Sequence, residues 1–175
     1  MARTVFTNAN LLDGDHAARK GVTVVVDGEH IVEVASSARG STGSPRTARA
    51  GDRVVDLKGK TVMPGMVLCH FHAGYENVGT FGGPIDLQYS PTYLAMIAAR
   101  NATLCIMHGY TGAVGAGVGH NIDSTLKDAI ANGLVEGPRL IAAGRDLVTS
   151  GDLVGAAPHW WKVGLDGVGR VCSGA

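Results

Sequence analysis

One stretch of the chain decides the fold: Gly59-Lys60-Thr61-Val62-Met63-Pro64-Gly65-Met66-Val67-Leu68-Cys69-His70-Phe71-His72. Its apolar run, broken by Pro64-Gly65, predicts a strand that ends at the two histidines. Residues i and i+2 of a strand point to the same face, so His70 and His72 are expected to project together. Two neutral imidazoles side by side suit Zn²⁺ or a similar metal. The same spacing is also found in two unrelated histidines of a loop, so the motif has to be interpreted in its context.

The residues before this stretch predict strands. Asp27-Gly28 lies between two apolar runs, which is a strong hairpin signal. Residues 36–53 are rich in Gly, Ser and Arg and predict an exposed loop. Residues 1–60 are therefore expected to be all β, with strands at Thr4–Asn10, Val22–Val26, Ile31–Val34 and Val54–Leu57.

The residues after it alternate between strands and helices. Apolar residues at helical spacing predict one helix over Tyr93–His108 and a second over Ile122–Leu134, with Asn121 or Asp123 as the N-cap of the second. Short apolar runs at Tyr110–Val114 and Arg139–Ala143 predict strands. This alternation indicates parallel strands joined by helical crossovers.

Composition excludes several classes of protein. The 175 residues are 45% apolar and 17% charged, with a net charge of zero. There is no collagen period, no basic run that would mark a nucleic-acid surface and no apolar stretch long enough to cross a membrane. The N-terminus lacks the apolar segment of a signal peptide. Three cysteines without a CxxC spacing fit free thiols, which favours a cytoplasmic location.

The stretch from Gly59 to His72 resembles the amidohydrolase superfamily of metal-dependent hydrolases. In that family a small β-sandwich, a G-K-x-V-x-P-G turn and the first barrel strand lead to a metal-binding His-x-His. The imidazolonepropionase-like and prolidase-like branches, which hydrolyse amide or cyclic amide C–N bonds, are the most similar. The resemblance extends over nearly the whole chain, through Thr7-Asn8-Ala9, Leu12-Asp13-Gly14, Val26-Asp27-Gly28, Ile31-Val32, Gly109-Tyr110-Thr111, Leu126–Ile130, Gly137–Leu140 and Ala143-Gly144.

The resemblance implies a fold and a chemistry. Residues 1–60 would supply N-terminal strands of a composite β-sandwich. Residues 61–175 would supply the first three strands and two helices of an incomplete TIM-like (β/α)8 barrel. A divalent metal, zinc as one or two ions, would activate water against a small-molecule amide or dipeptide, and His70 and His72 would be two of its ligands.

Two departures from the family concern the surroundings of the site and the length of the chain. Leu68 stands where the family has Asp, and residues 111–115 differ from the usual Thr-Thr-Val-Arg-Asp. A whole barrel takes about 250 residues, whereas 115 residues follow position 60. The family's bridging lysine, two further histidines and catalytic aspartate have no counterpart here. We therefore expect an N-terminal portion of a longer hydrolase, with catalytic residues beyond Ala175 and little turnover alone. The rest of the polypeptide or a second copy would complete it.

Five residues are candidates for contact with substrate. Tyr75 follows the histidine motif closely, and His120 lies in the glycine-rich loop after the second barrel strand. His159, Trp160 and Trp161 follow the third strand and could line a pocket. Each also has a structural interpretation: His120 as a helix flank, and the tryptophans as packing against the remainder of a barrel.

Two other functions stay open at this point. A non-enzymatic relic or binding subunit would need a partner chain and would bind no stoichiometric metal. A nucleotide-binding domain would use the glycine-rich loop over residues 112–119. Gly115-x-Gly117 begins a G-x-G-x-x-G fingerprint, but position 120 is histidine, and Leu140 and Ile141 occupy the region where a carboxylate is needed.

Overall fold

The computed structural model describes residues 3–36, 48–76, 89–148 and 169–172. The chain divides into two units, Met1–Pro64 and Gly65–Ala175. Part of the predicted loop, 37–47, lies outside the described residues.

The first unit is a five-stranded sheet. Its strands are β1 (Thr4–Leu11), β2 (Arg19–Asp27), β3 (His30–Ser36), β4 (Arg53–Asp56) and β5 (Thr61–Val62). The order is β3-β2-β1-β4, with β5 also paired to β1, and β1 is antiparallel to β2 but parallel to β4 and β5. The predicted hairpin is present: Asp27 pairs with His30, and Gly28 takes a φ of +59° in the turn. Ala9, Leu11, Val22 and Val24 form the core cluster of this sheet.

The second unit is built on three parallel strands. They are β6 (Met66–Phe71), β7 (Tyr110–Gly115) and β8 (Arg139–Ile141), in the order β6-β7-β8. Helix α1 (Pro91–Met107) connects the first two, and α2 (Ile122–Ala131) connects the second and third. The carboxyl ends of all three strands therefore meet at one edge, where the loops that follow them lie together.

The core of this unit lies between the sheet and its helices. Leu94 and Ala98 of α1, Leu126 of α2, Ala113 of β7 and Leu140 of β8 are all buried in one cluster. The mixed α/β architecture expected from the sequence is confirmed, whereas the assignment of these strands to a composite β-sandwich and to an incomplete TIM-like barrel stays a prediction.

Local signals set the ends of α1. The Ser90 hydroxyl accepts a hydrogen bond from the Tyr93 amide at 3.3 Å, and Pro91 occupies the first turn, where its missing N–H costs nothing. Gly109 follows the helix with a φ of +84°. The predicted helix is thus confirmed, and it begins two residues earlier than expected.

Two predicted boundaries were too long. Helix α2 ends at Ala131 and not at Leu134, because Gly133 adopts a φ of +72° and donates its N–H to the Ile130 carbonyl, while the Leu134 N–H reaches the Ala129 carbonyl. These two bonds form a Schellman cap. Strand β8 ends at Ile141 and not at Ala143, because the Ala143 N–H turns to the Asp123 carboxylate.

One small sheet was not predicted. Strands β9 (Asp146–Val148) and β10 (Gly169–Val171) pair in parallel. Neither three-residue segment carries a periodic signal. Within the described parts of the chain, neither α-helix is long and apolar enough to cross a membrane.

Candidate metal centre

The two histidines of the decisive stretch lie together at the carboxyl end of β6. Phe71, which lies between them in the sequence, is buried in the core cluster. Their Nε2 atoms are 3.0 Å apart, and their rings meet edge to face with centroids 4.8 Å apart. His70 is exposed and His72 is half-buried. The structure therefore brings together the pair that the spacing predicted.

Strand β6 is held in place at both ends. At its start the Met66 N–H donates to the Gly109 carbonyl at 2.9 Å, and at its end the Phe71 carbonyl accepts from the Ala116 N–H at 3.1 Å. Gly65 is required just before it, because a Cβ there would overlap the Thr111 side chain. These contacts fix the position from which both imidazoles project.

The ring of His72 is oriented through its other nitrogen. Nδ1 lies 2.7 Å from the Gly117 carbonyl oxygen. A carbonyl can only accept, so Nδ1 carries the proton and Nε2 of the neutral ring carries the lone pair. Metal-ligating histidines are commonly fixed in this way. The Nε2 atom that faces His70 is thereby the one available to a metal.

The face of the same ring is covered by Tyr75. The two rings stack with centroids 4.3 Å apart and planes 7° apart. Asn101 of α1 holds the intervening turn, because its Nδ2 donates to the carbonyls of Ala73 at 2.9 Å and Tyr75 at 3.0 Å. His72 is thus restrained at one nitrogen and across one face.

The donor set fits part of a metal site. Two nitrogens bound to one tetrahedral zinc at about 2.0–2.1 Å are about 3.3 Å apart, close to the separation seen between the two Nε2 atoms. A complete site takes three or four protein ligands. Among the residues that the structure describes, no group of three His, Cys, Asp or Glu side chains is close enough to hold an ion. The described residues therefore offer two ligands of such a set.

The other candidate residues fall in three places. Tyr75 lies against the histidine pair. His120 is half-buried in a 3₁₀ turn, Gly119–Asn121, with a φ of +61°. His159, Trp160 and Trp161 lie outside the described residues.

An apolar groove of about 440 Å³ lies in the second unit. His72 and Tyr75 are among its lining residues, together with Leu68, Phe71, Leu104 and Cys105. Burial raises the pKa of the Cys105 thiol, so this cysteine acts as a small apolar side chain in the lining. Leu68, which stands where the family has Asp, packs against the core cluster.

The glycines that suggested nucleotide binding have a packing role. A Cβ at Gly115 would lie 2.9 Å from the Asp123 carboxylate, and one at Gly117 would overlap the Asp146 carboxylate. Two carboxylates against this loop oppose the approach of a phosphate. The geometry gives no support to the nucleotide interpretation.

Sequence reasoning missed three residues that organise the site. Gly117 supplies the carbonyl for His72, Asn101 holds the Tyr75 turn, and the buried Asp123 accepts three backbone N–H groups. The sequence predicts Asp123 only as a possible N-cap of the second helix, and it gives Asn101 no role beyond a place in the first helix. Apart from the Ser124 amide, their hydrogen-bond partners lie at least 20 residues away along the chain. No local sequence pattern therefore indicates their roles.

Solved structures resemble this chain, although no protein-family model and no curated protein matches it. A prolidase complexed with N-methylphosphonate-L-proline is 28% identical, with a TM-score of 0.69 over 99% of this chain and 41% of that one. A Xaa-Pro dipeptidase with bound methionine is 25% identical, with a TM-score of 0.74 over 97% and 41%. The resemblance to the amidohydrolase superfamily is confirmed.

A third solved structure is also similar to this chain. A structure described as an amidohydrolase is 26% identical, with a TM-score of 0.70 over 99% of this chain and 41% of that one. By their names these neighbours are hydrolases of amide and dipeptide bonds. The chain spans about two fifths of the length of the structures it matches.

Proposed function

We propose that this chain provides the first metal-binding strand of a metal-dependent hydrolase of C–N bonds. Its substrates would be small amides, cyclic amides or dipeptides, in keeping with the prolidase and dipeptidase that it resembles. One observation carries the proposal: two imidazole Nε2 atoms 3.0 Å apart at the carboxyl end of a parallel strand, one with its tautomer fixed.

Each residue of the site has a part in this proposal. His70 and His72 would bind the metal, zinc or a similar ion, through Nε2. Gly117 would keep the proton of His72 on Nδ1, and Tyr75 would hold the ring plane. A bound metal of this kind lowers the pKa of its water ligand toward neutrality and polarises the scissile carbonyl.

Two ligands hold a metal weakly, and this limits what the chain does alone. We propose that the 175-residue chain has little or no turnover. The remaining ligands would come from further polypeptide or from a second copy. The exposed Val67 of β6 and Ile141 of β8, on the two outer strands of the described sheet, support such a covering segment.

The substrate would approach along the same end of the sheet. Tyr75 and His120 are the candidates within the described residues, and His159, Trp160 and Trp161 complete the proposed set. The aromatic groups suit an apolar side chain or a proline ring.

The free Cys69, Cys105 and Cys172 support a cytoplasmic location.

A titration of the chain with Co²⁺, followed by its visible absorption, tests the metal site. The wild-type chain is expected to bind Co²⁺ with nitrogen-ligand spectra. His70→Ala and His72→Ala should each weaken binding at least tenfold, because each removes one of two ligands. The matched control is His30→Ala, which removes an exposed imidazole from the first unit and should leave the titration unchanged.

Equal Co²⁺ affinity in the wild type and both site variants would reject the metal site. Turnover is tested separately with X-Pro dipeptides and simple amides in the presence of Zn²⁺. Efficient turnover by the 175-residue chain would overturn the proposal that it needs further ligands.

A further inference from the structure

Asp123 of α2 carries a carboxylate that forms no hydrogen bond with the histidine pair. It is buried, with a relative exposure of 1%, in the first turn of α2. Its Oδ1 accepts the Ser124 N–H at 2.8 Å. Its Oδ2 accepts the N–H groups of Ala143 at 2.7 Å and Gly144 at 2.9 Å. One carboxylate thus binds the start of a helix to the loop after the third parallel strand.

That loop in turn holds the loop after the second strand. The Gly144 carbonyl accepts the Val118 N–H at 3.0 Å. Val118 is buried, with a relative exposure of 2%. Gly144, fixed by Asp123 through its N–H, therefore fixes Val118 through its C=O.

Val118 is the neighbour of the residue that orients His72. The peptide that carries the Val118 N–H is the same peptide that carries the Gly117 carbonyl, so anchoring one end of it sets the direction of the other. That carbonyl accepts the Nδ1 proton of His72 at 2.7 Å. Three hydrogen bonds, linked through the backbone of Gly144 and through the Gly117–Val118 peptide, connect the Asp123 carboxylate to the imidazole.

We propose that Asp123 is a positioning residue for His72. Its charge holds the Gly144 loop, which aims the Gly117 carbonyl, which keeps His72 in the Nδ1–H tautomer with Nε2 turned toward His70. The inference rests on the proposed metal site for its purpose, but the series of bonds stands on its own.

The close fit around Asp123 explains why the charge is needed. Oδ2 serves two converging N–H donors, and only a carboxylate can accept from all three amides at once. In Asp123→Asn one oxygen becomes an NH₂ donor, which must face at least one backbone N–H. If this NH₂ faces the loop, Ala143 and Gly144 lose their acceptor; if it faces Ser124, they keep a neutral carbonyl oxygen in place of a charged one. In both orientations the loop that holds Val118 is held less strongly, without any change in side-chain size.

The experiment compares Asp123→Asn with Asp128→Asn. Both replace an Asp of α2 by its isostere, but Asp128 is exposed. Imidazole ¹⁵N spectra of the full chain at pH 8, with His72→Gln to assign the signal, report the tautomer. The wild type and Asp128→Asn should show His72 protonated at Nδ1. Asp123→Asn should show a mixture of tautomers and bind Co²⁺ about tenfold more weakly.

The outcomes separate this inference from the proposed function. If Co²⁺ binding depends on His72 but Asp123→Asn matches Asp128→Asn in tautomer and affinity, the metal site stands and the role of Asp123 is rejected. If the wild type binds no Co²⁺ but the tautomer shifts in Asp123→Asn alone, the positioning role stands and the metal site is rejected.

A measurement on the wild type covers the case in which Asp123→Asn does not fold. The amide protons of Ala143, Gly144 and Val118 should exchange with solvent slowly, about as slowly as those of β7. Exchange at the rate of an unprotected loop, or a His72 protonated at Nε2, would overturn the proposal.

Discussion

Asp13 in the first unit and Asp123 in the second are held in different ways. Asp13 accepts the N–H groups of Asp15 and His16, two and three positions along the chain, and a further bond from Arg19, six positions along. Asp123 is buried and accepts N–H groups from residues 20 and 21 positions away. A local bond shapes a turn, whereas a long-range bond sets one segment relative to another. The residues that orient a site are therefore to be sought among the long-range bonds.

The largest effect is expected at Gly117, whose carbonyl forms a long-range hydrogen bond with His72. Gly117→Ala places a Cβ at a φ of +100° and onto the Asp146 carboxylate. We expect a loss of about 2–3 kcal/mol in the free energy of unfolding, from backbone strain and overlap together, and at least tenfold weaker Co²⁺ binding.

Gly28→Ala is the matched control for Gly117→Ala. Gly28 has a φ of +59° in the hairpin of the first unit, and no atom of the described residues lies within 4 Å of an added Cβ. It should cost about 1 kcal/mol of backbone strain and leave Co²⁺ binding unchanged. Equal losses in urea unfolding for the two variants would contradict the role of close packing at Gly117.

A smaller effect is expected at Asn101. Asn101→Ala leaves the carbonyls of Ala73 and Tyr75 without their donor, which should cost about 1–2 kcal/mol. Asn132→Ala removes a local bond to the Asp128 carbonyl at the exposed end of α2 and should cost less than about 0.5 kcal/mol.

Urea unfolding of both asparagine variants, followed by circular dichroism, checks this difference. Loss of the Tyr75 stack should also shift the His72 ring protons in Asn101→Ala. Unchanged His72 signals in that variant would show that the turn does not depend on Asn101.

The smallest effect is expected at Asp13, whose hydrogen bonds come from residues close to it in the sequence. Hydrogen bonding from the His16 amide, with further bonds from the His16 ring and the Asp15 amide, lowers the pKa of Asp13 from 3.8 to about 2. A carboxyl with a lowered pKa stabilises the folded state fully above its unfolded pKa, and this contribution disappears as the pH falls through about 2.

The Asp13 carboxyl carbon, followed by NMR, should therefore titrate with a midpoint near 2. In thermal melts, Asp13→Asn should be slightly less stable than the wild type at pH 5, with the difference shrinking toward pH 2. A midpoint near 3.8 would show that these local hydrogen bonds do not lower the pKa of Asp13.

The sequence predicted those parts of the fold that local signals control. The Asp27-Gly28 hairpin, the helical apolar spacing of α1 and the strand β6 are each determined by neighbouring residues, and each is confirmed by the structure. The end of α2 was missed because Gly133 competes with the apolar Leu134, and the positive φ of Gly133 decides the outcome.

The site was predictable only in part. Period-2 alternation is enough to bring His70 and His72 together, because a strand fixes the direction of its side chains. Gly117 and Asp123 act through hydrogen bonds between segments that only the folded sheet brings near each other. The glycines of residues 112–119 resembled a phosphate loop because glycine permits close approach equally to a ligand and to a carboxylate of the same chain.

We propose that His70 and His72 bind one metal ion together. X-ray absorption at the zinc edge, on the chain loaded with one equivalent of Zn²⁺, reports the ligands of that ion. We expect at least two imidazole nitrogens at about 2.0–2.1 Å, lost in the His70→Ala/His72→Ala double variant and kept in His30→Ala. A zinc spectrum that is the same in the double variant and the wild type would contradict it.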